Sequence, residues 1–149
     1  MKPKWPMPPT LLAVSIVAML ALHFLLPVID IIRRPWNVLG IGPIAFGAIW
    51  NIWADKLFKK HSTTVKPDLK PTTLVQAGPF RFSRNPMYVG MAAIAAGVAL
   101  LCGTLTPMVL PVAFTAVVAL VFVPMEEMMM QQAFGDSWTD YARRVRRWL

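Results

Sequence analysis

The stretch Met87–Met125, MYVGMAAIAAGVALLCGTLTPMVLPVAFTAVVALVFVPM, carries no charged residue from end to end. A helix crossing a hydrocarbon core of about 30 Å needs about 20 residues. The stretch holds two such lengths, Met87 to about Leu105 and Pro107 to about Met125, separated only by Thr104-Leu105-Thr106. It therefore predicts two membrane spans joined as a tight antiparallel hairpin. Small residues recur in the first of them at Gly90, Ala93 and Gly97 and at Ala92 and Ala96, the spacing that lets helix backbones approach in lipid.

Upstream, two more apolar runs extend from Leu11 to Ile29 and from Trp36 to about Ala54. The first is too long for the apolar core of a secretory signal and lacks a small-x-small cleavage pattern, so it reads as a retained helix. The second carries Gly40, Gly42 and Gly47 with Trp36, Trp50 and Trp53 toward its ends. With no strand before them, these glycines suit close helix packing rather than a nucleotide loop, and the tryptophans suit an aromatic belt. Between Lys56 and Arg84 the composition turns basic and proline-rich, as expected of a water-exposed loop.

The whole chain supports this pattern. Of 149 residues, 56% are apolar and 15% charged, against about 25% charged in a typical soluble protein. The expected fold class is an all-α integral membrane protein with about four transmembrane helices. One membrane domain covers residues 1–149: two amino-terminal spans in 1–55, a cytoplasmic loop in 56–86, the hairpin in 87–127 and an interfacial tail in 128–149. Too little chain lies outside the apolar runs for the repeated βαβ units of a soluble Rossmann enzyme. The net charge of +8 lies beside the span ends without base-stacking aromatics, which argues against nucleic acid. Four spans put the amino terminus, the 56–86 loop and the tail on one side with all Lys and Arg except Arg33 and Arg34, and the positive-inside rule makes that side cytoplasmic. Cys102 is the single cysteine, so no disulfide framework or cysteine metal site is expected. His23 has no second ligand at metal spacing and reads as a bundle-facing polar residue.

In the tail, Ser137-Trp138-Thr139-Asp140 has capping-box spacing and predicts a new helix start. Phe134, Trp138, Tyr141, Val145 and Trp148 recur at steps of four and three, with Arg143, Arg144, Arg146 and Arg147 mostly off that stripe, which predicts an interfacial amphipathic helix.

The hairpin also predicts where chemistry sits. A short turn between two helices of similar length brings the start of one beside the end of the other, so Arg84-Asn85-Pro86-Met87-Tyr88-Val89-Gly90 meets Pro124-Met125-Glu126-Glu127. Two adjacent carboxylates at a membrane boundary are costly unless paired or used. If the helix ends near Glu127, the acids oppose its macrodipole, while the opposite helix start attracts anions. Such a place suits a zwitterionic ligand.

These segments, Gly78-Pro79-Phe80-Arg81-Phe82-Ser83-Arg84-Asn85-Pro86-Met87-Tyr88-Val89-Gly90, then Glu126-Glu127, Phe134-Gly135, Tyr141 and Arg143, resemble the small integral-membrane methyltransferases. That group contains isoprenylcysteine carboxyl methyltransferases and phospholipid N-methyltransferases. The resemblance covers roughly residues 74–149. It implies S-adenosylmethionine bound between the last two helices and the tail, with a lipid-like acceptor arriving from the bilayer. Arg84, Asn85, Pro86, Tyr88, Gly90, Glu126 and Tyr141 are the implied cofactor-binding positions, Glu127 sharing the carboxylate motif. Asn85 stands where the isoprenylcysteine enzymes have His, so an amide replaces an imidazole and no titration near neutral pH is expected there. For a carboxylate acceptor, Arg143 or Arg144 would orient it. For an amine, Glu127 would be the base. Two other functions compete: an NADPH-dependent membrane reductase on a similar scaffold, with the tail arginines at the 2'-phosphate, and a non-enzymatic membrane protein with interfacial charges as anchors. No metal is expected, and the oligomeric state is open because the glycines could pack within one chain or between two.

Overall fold

A computed structural model describes residues 7–61 and 72–149. Among the described residues the regular structure is helical. Helix α1 covers Pro8–Leu25, and a 3-10 turn, Trp36–Gly40, leads into α2, Ile41–Lys60. A second 3-10 turn, Gly78–Arg81, precedes α3, Pro86–Cys102. Helix α4, Leu105–Val117, passes through a π turn, Val118–Phe122, into α5, Val123–Phe134. The last helix, α6, is Asp136–Arg144.

Local sequence sets these limits. Pro86 opens α3 at a position whose N–H would have no helical partner. Gly103, at φ +71, closes α3 by donating its N–H to the Ala99 carbonyl at 3.0 Å, a left-handed cap that glycine adopts without strain. The expected spans appear as three long apolar helices, Pro8–Leu25, Trp36–Lys60 and Leu105–Phe134, with α3 as a shorter fourth. At 17 residues α3 is about 26 Å long, and it packs against α1, α2 and α4. The other helices turn Val17, Phe24, Ile49, Val112 and Leu120 outward, as lipid-facing surfaces require.

The α2–α3 contact depends on missing side chains. Gly40 lies against the Gly97 backbone and Gly47 against the Gly90 backbone, leaving no room for a Cβ at any of the four positions. At the membrane end away from the candidate site, the α1–α2 connection is stitched to the α3–α4 turn. Ile31 and Ile32 N–H donate to the Gly103 carbonyl at 2.9 and 3.0 Å, and Leu105 N–H donates to the Ile29 carbonyl at 3.0 Å. His23 Nδ1 lies 3.1 Å from Thr104 Oγ1 here, a bundle-facing polar pair. Arg33 and Arg34 belong to this connection.

Several boundaries differ from the sequence-based expectation. Helix α2 runs on to Lys60, beyond Ala54. The fourth span continues to Phe134 as a 30-residue rod, about 45 Å long against a hydrocarbon core of about 30 Å. Met128–Met130 thus extend the fourth helix, an extension the sequence allows, and Glu126 and Glu127 lie inside the rod. The opposition to a helix end expected for these acids does not apply. A new helix starts where the Ser137–Asp140 spacing predicts one, but without the side-chain cap: Gly135, at φ +52, stops α5 and serves as the α6 N-cap. Within α6, Thr139 Oγ1 donates to Gln131 Oε1 at 3.2 Å and lies 3.3 Å from the Gly135 carbonyl. Helix α6 ends at Arg144 and Val145 is extended, so the stripe from Phe134 to Trp148 is not one helical face. Trp138 and Tyr141 are buried in the protein.

Candidate active site

Arg84 and Asn85 immediately precede α3, and Tyr88 lies in its first turn. Glu126 and Glu127 follow the π turn. Each extra residue in a helical turn rotates the downstream helix by about 100° relative to a regular α-helix. Just beyond this re-registration, the buried Tyr88 hydroxyl donates to Glu126 Oε1. The juxtaposition expected of the hairpin is present.

Glu127 joins a second set of contacts. Arg84 Nη2 is 3.4 Å from Glu127 Oε1, with both side chains mostly buried. Arg147 forms a fork on the same carboxylate, Nε to Oε1 at 3.1 Å and Nη2 to Oε2 at 2.6 Å, a geometry suited to charge-assisted pairing. This pairing pushes the Arg147 guanidinium's pKa above its ordinary value. The Arg84 guanidinium also lies over the Trp138 ring, 5.8 Å from its centroid, while its buried Nε has no hydrogen-bond partner.

The surrounding residues brace this cluster. Tyr141 donates its hydroxyl to the Phe80 carbonyl at 2.7 Å, fixing α6 to the turn before α3. Burial pushes the Tyr141 phenol up to about 12, against the opposing pull of the Arg84 charge. Asn85 Nδ2 donates to the Arg147 carbonyl at 3.1 Å, and Ser83 Oγ accepts from Asn85 N–H at 3.1 Å. Tyr141→Phe would leave the Phe80 carbonyl without that partner, at a cost of about 1–3 kcal/mol. The expected outcome is a thermal unfolding midpoint several degrees lower in detergent; an unchanged midpoint would show that this brace is dispensable.

Arg84, Asn85, Pro86, Tyr88, Glu126 and Glu127 thus gather at one membrane end, with Tyr141 behind them. Gly90 faces elsewhere, against Gly47 and Asn51 of α2. Arg143 and Arg144 stay outside the cluster: Arg143 Nη1 is 4.0 Å from Asp140 Oδ1, and Arg144 donates to the Asp140 carbonyl and Gln76 Oε1, both at 3.2 Å. Trp138 and Ser83 are members to which sequence reasoning assigns no role, and Arg147 is the one tail arginine, of the several able to pair with the carboxylates, that does so. Arg147 was indistinguishable from its neighbours on a helical wheel, and only the chain reversal after Arg144 selects it. Among the described residues no group of three or more His, Cys, Asp or Glu could hold a metal ion.

A helical protein that crosses the membrane several times and gathers carboxylates, guanidiniums and a phenol at one face has the class features of an integral-membrane enzyme. The phospholipid methyltransferase family model matches residues 36–137, from the turn before α2 through the Glu126-Glu127 pair to the start of α6, and the chain belongs to that family. It is an S-adenosylmethionine-dependent membrane methyltransferase acting on lipid acceptors. No curated protein and no solved structure matches the chain. The residues present fit the methyl donor. Its ammonium and ribose hydroxyls call for carboxylates, its carboxylate calls for a guanidinium, and Arg84 has a buried N–H still unpartnered.

Proposed function

We propose that methyl transfer to the lipid-like acceptor takes place at the cytoplasmic membrane face, with the donor held between the start of α3 and the carboxylates of α5. The meeting of Tyr88 with Glu126 and of Arg84 with Glu127 carries this assignment. Arg84 binds the donor carboxylate and Glu127 the ammonium. Glu126, oriented by Tyr88, accepts from the ribose hydroxyls. Pro86 and Asn85 shape the approach, Gly90 keeps α3 close to α2, and Tyr141 anchors the α6 wall. Bound S-adenosylmethionine supplies an electrophilic methyl group on a sulfonium. The protein's contribution is to align an acceptor and exclude water. With guanidiniums facing both oxygens, Glu127 serves better as a counter-ion than as a base. Arg143 and Arg144 remain available at the exposed rim to meet an anionic acceptor headgroup.

The cytoplasmic assignment follows from charge. Among the described residues Arg33 and Arg34 lie at the far end, whereas Lys56, Lys59, Lys60, Arg81, Arg84 and the arginines of 143–147 belong to segments at the site end, a bias that supports a cytoplasmic site. The amino and carboxyl termini are then cytoplasmic.

Calorimetry on the detergent-purified protein tests the assignment. S-adenosylhomocysteine should bind at micromolar strength and NADPH should not bind. Arg84→Gln or Tyr88→Phe should weaken S-adenosylhomocysteine binding by about tenfold, whereas His23→Ala or Trp50→Phe should leave it nearly unchanged. Equal losses in both groups, or binding of NADPH alone, would sink the assignment.

A further inference from the structure

After α6 the chain leaves the helix at Val145 and runs back along the segment before α3. Arg84 N–H donates to the Arg146 carbonyl at 2.8 Å. Ser83 Oγ and Asn85 Nδ2 both donate to the Arg147 carbonyl, at 3.2 and 3.1 Å. The Arg147 guanidinium then covers both oxygens of Glu127, and Trp148 packs against the core cluster containing Tyr88. Residues 145–149 thus form a strap fastened to Arg84, Asn85 and Glu127, groups assigned above to the methyl donor.

We propose that Arg147 is a built-in counter-ion plug: the strap places a guanidinium on the carboxylate that receives the donor's ammonium, and donor binding displaces it. The inference rests on the donor site described under Proposed function. Ammonium and guanidinium both donate N–H to carboxylate oxygens, and a fork occupies the two oxygens together. The two cations therefore exclude one another at Glu127. Arg84 and Arg147 differ in a way that assigns the moving part. Arg84 is 15% exposed and stacked on Trp138, whereas Arg147 is 46% exposed. The Arg147 head, nearly half in water already, regains solvation on leaving Glu127 more readily than the enclosed Arg84 does. Because it is tethered, it competes at a high effective concentration, and apparent donor affinity falls by the fraction of molecules with the strap open. Arg143 and Arg144 have partners on α6 or at Gln76, so the plug is specific to Arg147.

The full-length protein in lipid nanodiscs, with S-adenosylhomocysteine as the probe, tests this. Arg147→Gln should bind the probe about three- to tenfold faster and more tightly than the wild type, with Arg147→Lys between them because it keeps a cation without the fork. In the wild type, saturating probe should speed hydrogen exchange at the Arg84 amide, whose bond to the Arg146 carbonyl opens with the strap. Unchanged or slower association in Arg147→Gln overturns the plug, as does probe-induced protection of the Arg84 amide. Glu127→Gln keeps the two levels apart. If it loses probe binding while Arg147→Gln behaves as the wild type, the plug fails and the donor site stands. If it binds the probe normally, the assignment of Glu127 to the donor fails, and the plug fails with it.

Discussion

Glu126→Gln is expected to lower kcat/KM for methyl transfer by about 100-fold while leaving the fold intact. Glutamine keeps the side-chain length and a carbonyl oxygen able to accept the Tyr88 hydroxyl, so the contact between α3 and α5 survives. What disappears is the second accepting oxygen of the acid and the charge it can carry. Truncating one partner of a buried, hydrogen-bonded charge contact costs about 2–5 kcal/mol, and each 1.4 kcal/mol is a factor of about ten; the partial exposure of Glu126 argues for the lower half of that range. Tyr88→Phe removes only the group that orients the carboxylate, so its expected loss is nearer tenfold. Methyl transfer to a lipid acceptor and S-adenosylhomocysteine titration should rank the variants in that order, with similar unfolding midpoints. A Glu126→Gln enzyme within threefold of the wild type would remove Glu126 from the site.

The parts of this site that sequence reveals are those fixed by a single helix or a short turn. An uncharged stretch broken near Thr104 is enough to bring residues 84–90 and 124–127 to the same membrane end, whereas the particular meeting of Tyr88 with Glu126 depends on the π turn and on helix tilt. The end of the rod was not legible, since Met128–Met130, Gln131 and Gln132 suit a helix in water as well as a loop, and only Gly135 stops it. The π turn left no mark beyond the nearby Pro124, which cannot donate an N–H to the Leu120 carbonyl. Arg147 was hidden for a different reason. Its role comes from hydrogen bonds between residues 83–85 and 146–147, a pairing across sixty residues that periodicity does not encode. Capping-box spacing locates the start of α6 but not its cap, which is Gly135 rather than Ser137. The glycines carried two readings, packing within one chain or between two. Gly40, Gly47, Gly90 and Gly97 serve the α2–α3 contact within the chain, while Gly42 has no neighbour a Cβ would meet.

That division gives the second large effect. Gly97→Ala should destabilise the protein by about 1–3 kcal/mol, the usual penalty for overpacking a tight contact, whereas Gly42→Ala should be neutral or stabilising by up to about 1 kcal/mol because alanine is the better helix former. A Cβ on Gly97 would fall 2.5 Å from the Gly40 carbonyl oxygen and 2.6 Å from Ile44 Cγ1. Ile44 can change rotamer, but the carbonyl belongs to the backbone entering α2, so the helices must separate. Separation is costly because lipid is as apolar as the contact it would replace, leaving close packing as the main force between α2 and α3. The effect should reach the donor site through α2, whose Trp53 and Leu57 lie against Gly78 in the turn before Arg84. Thermal unfolding of both alanine variants in one detergent, followed by S-adenosylhomocysteine titration of the folded fraction, should show a lower midpoint and weaker binding for Gly97→Ala alone. Equal midpoints for the two variants would mean that the α2–α3 approach tolerates a methyl group, and that helix contact is not what positions the residues before α3.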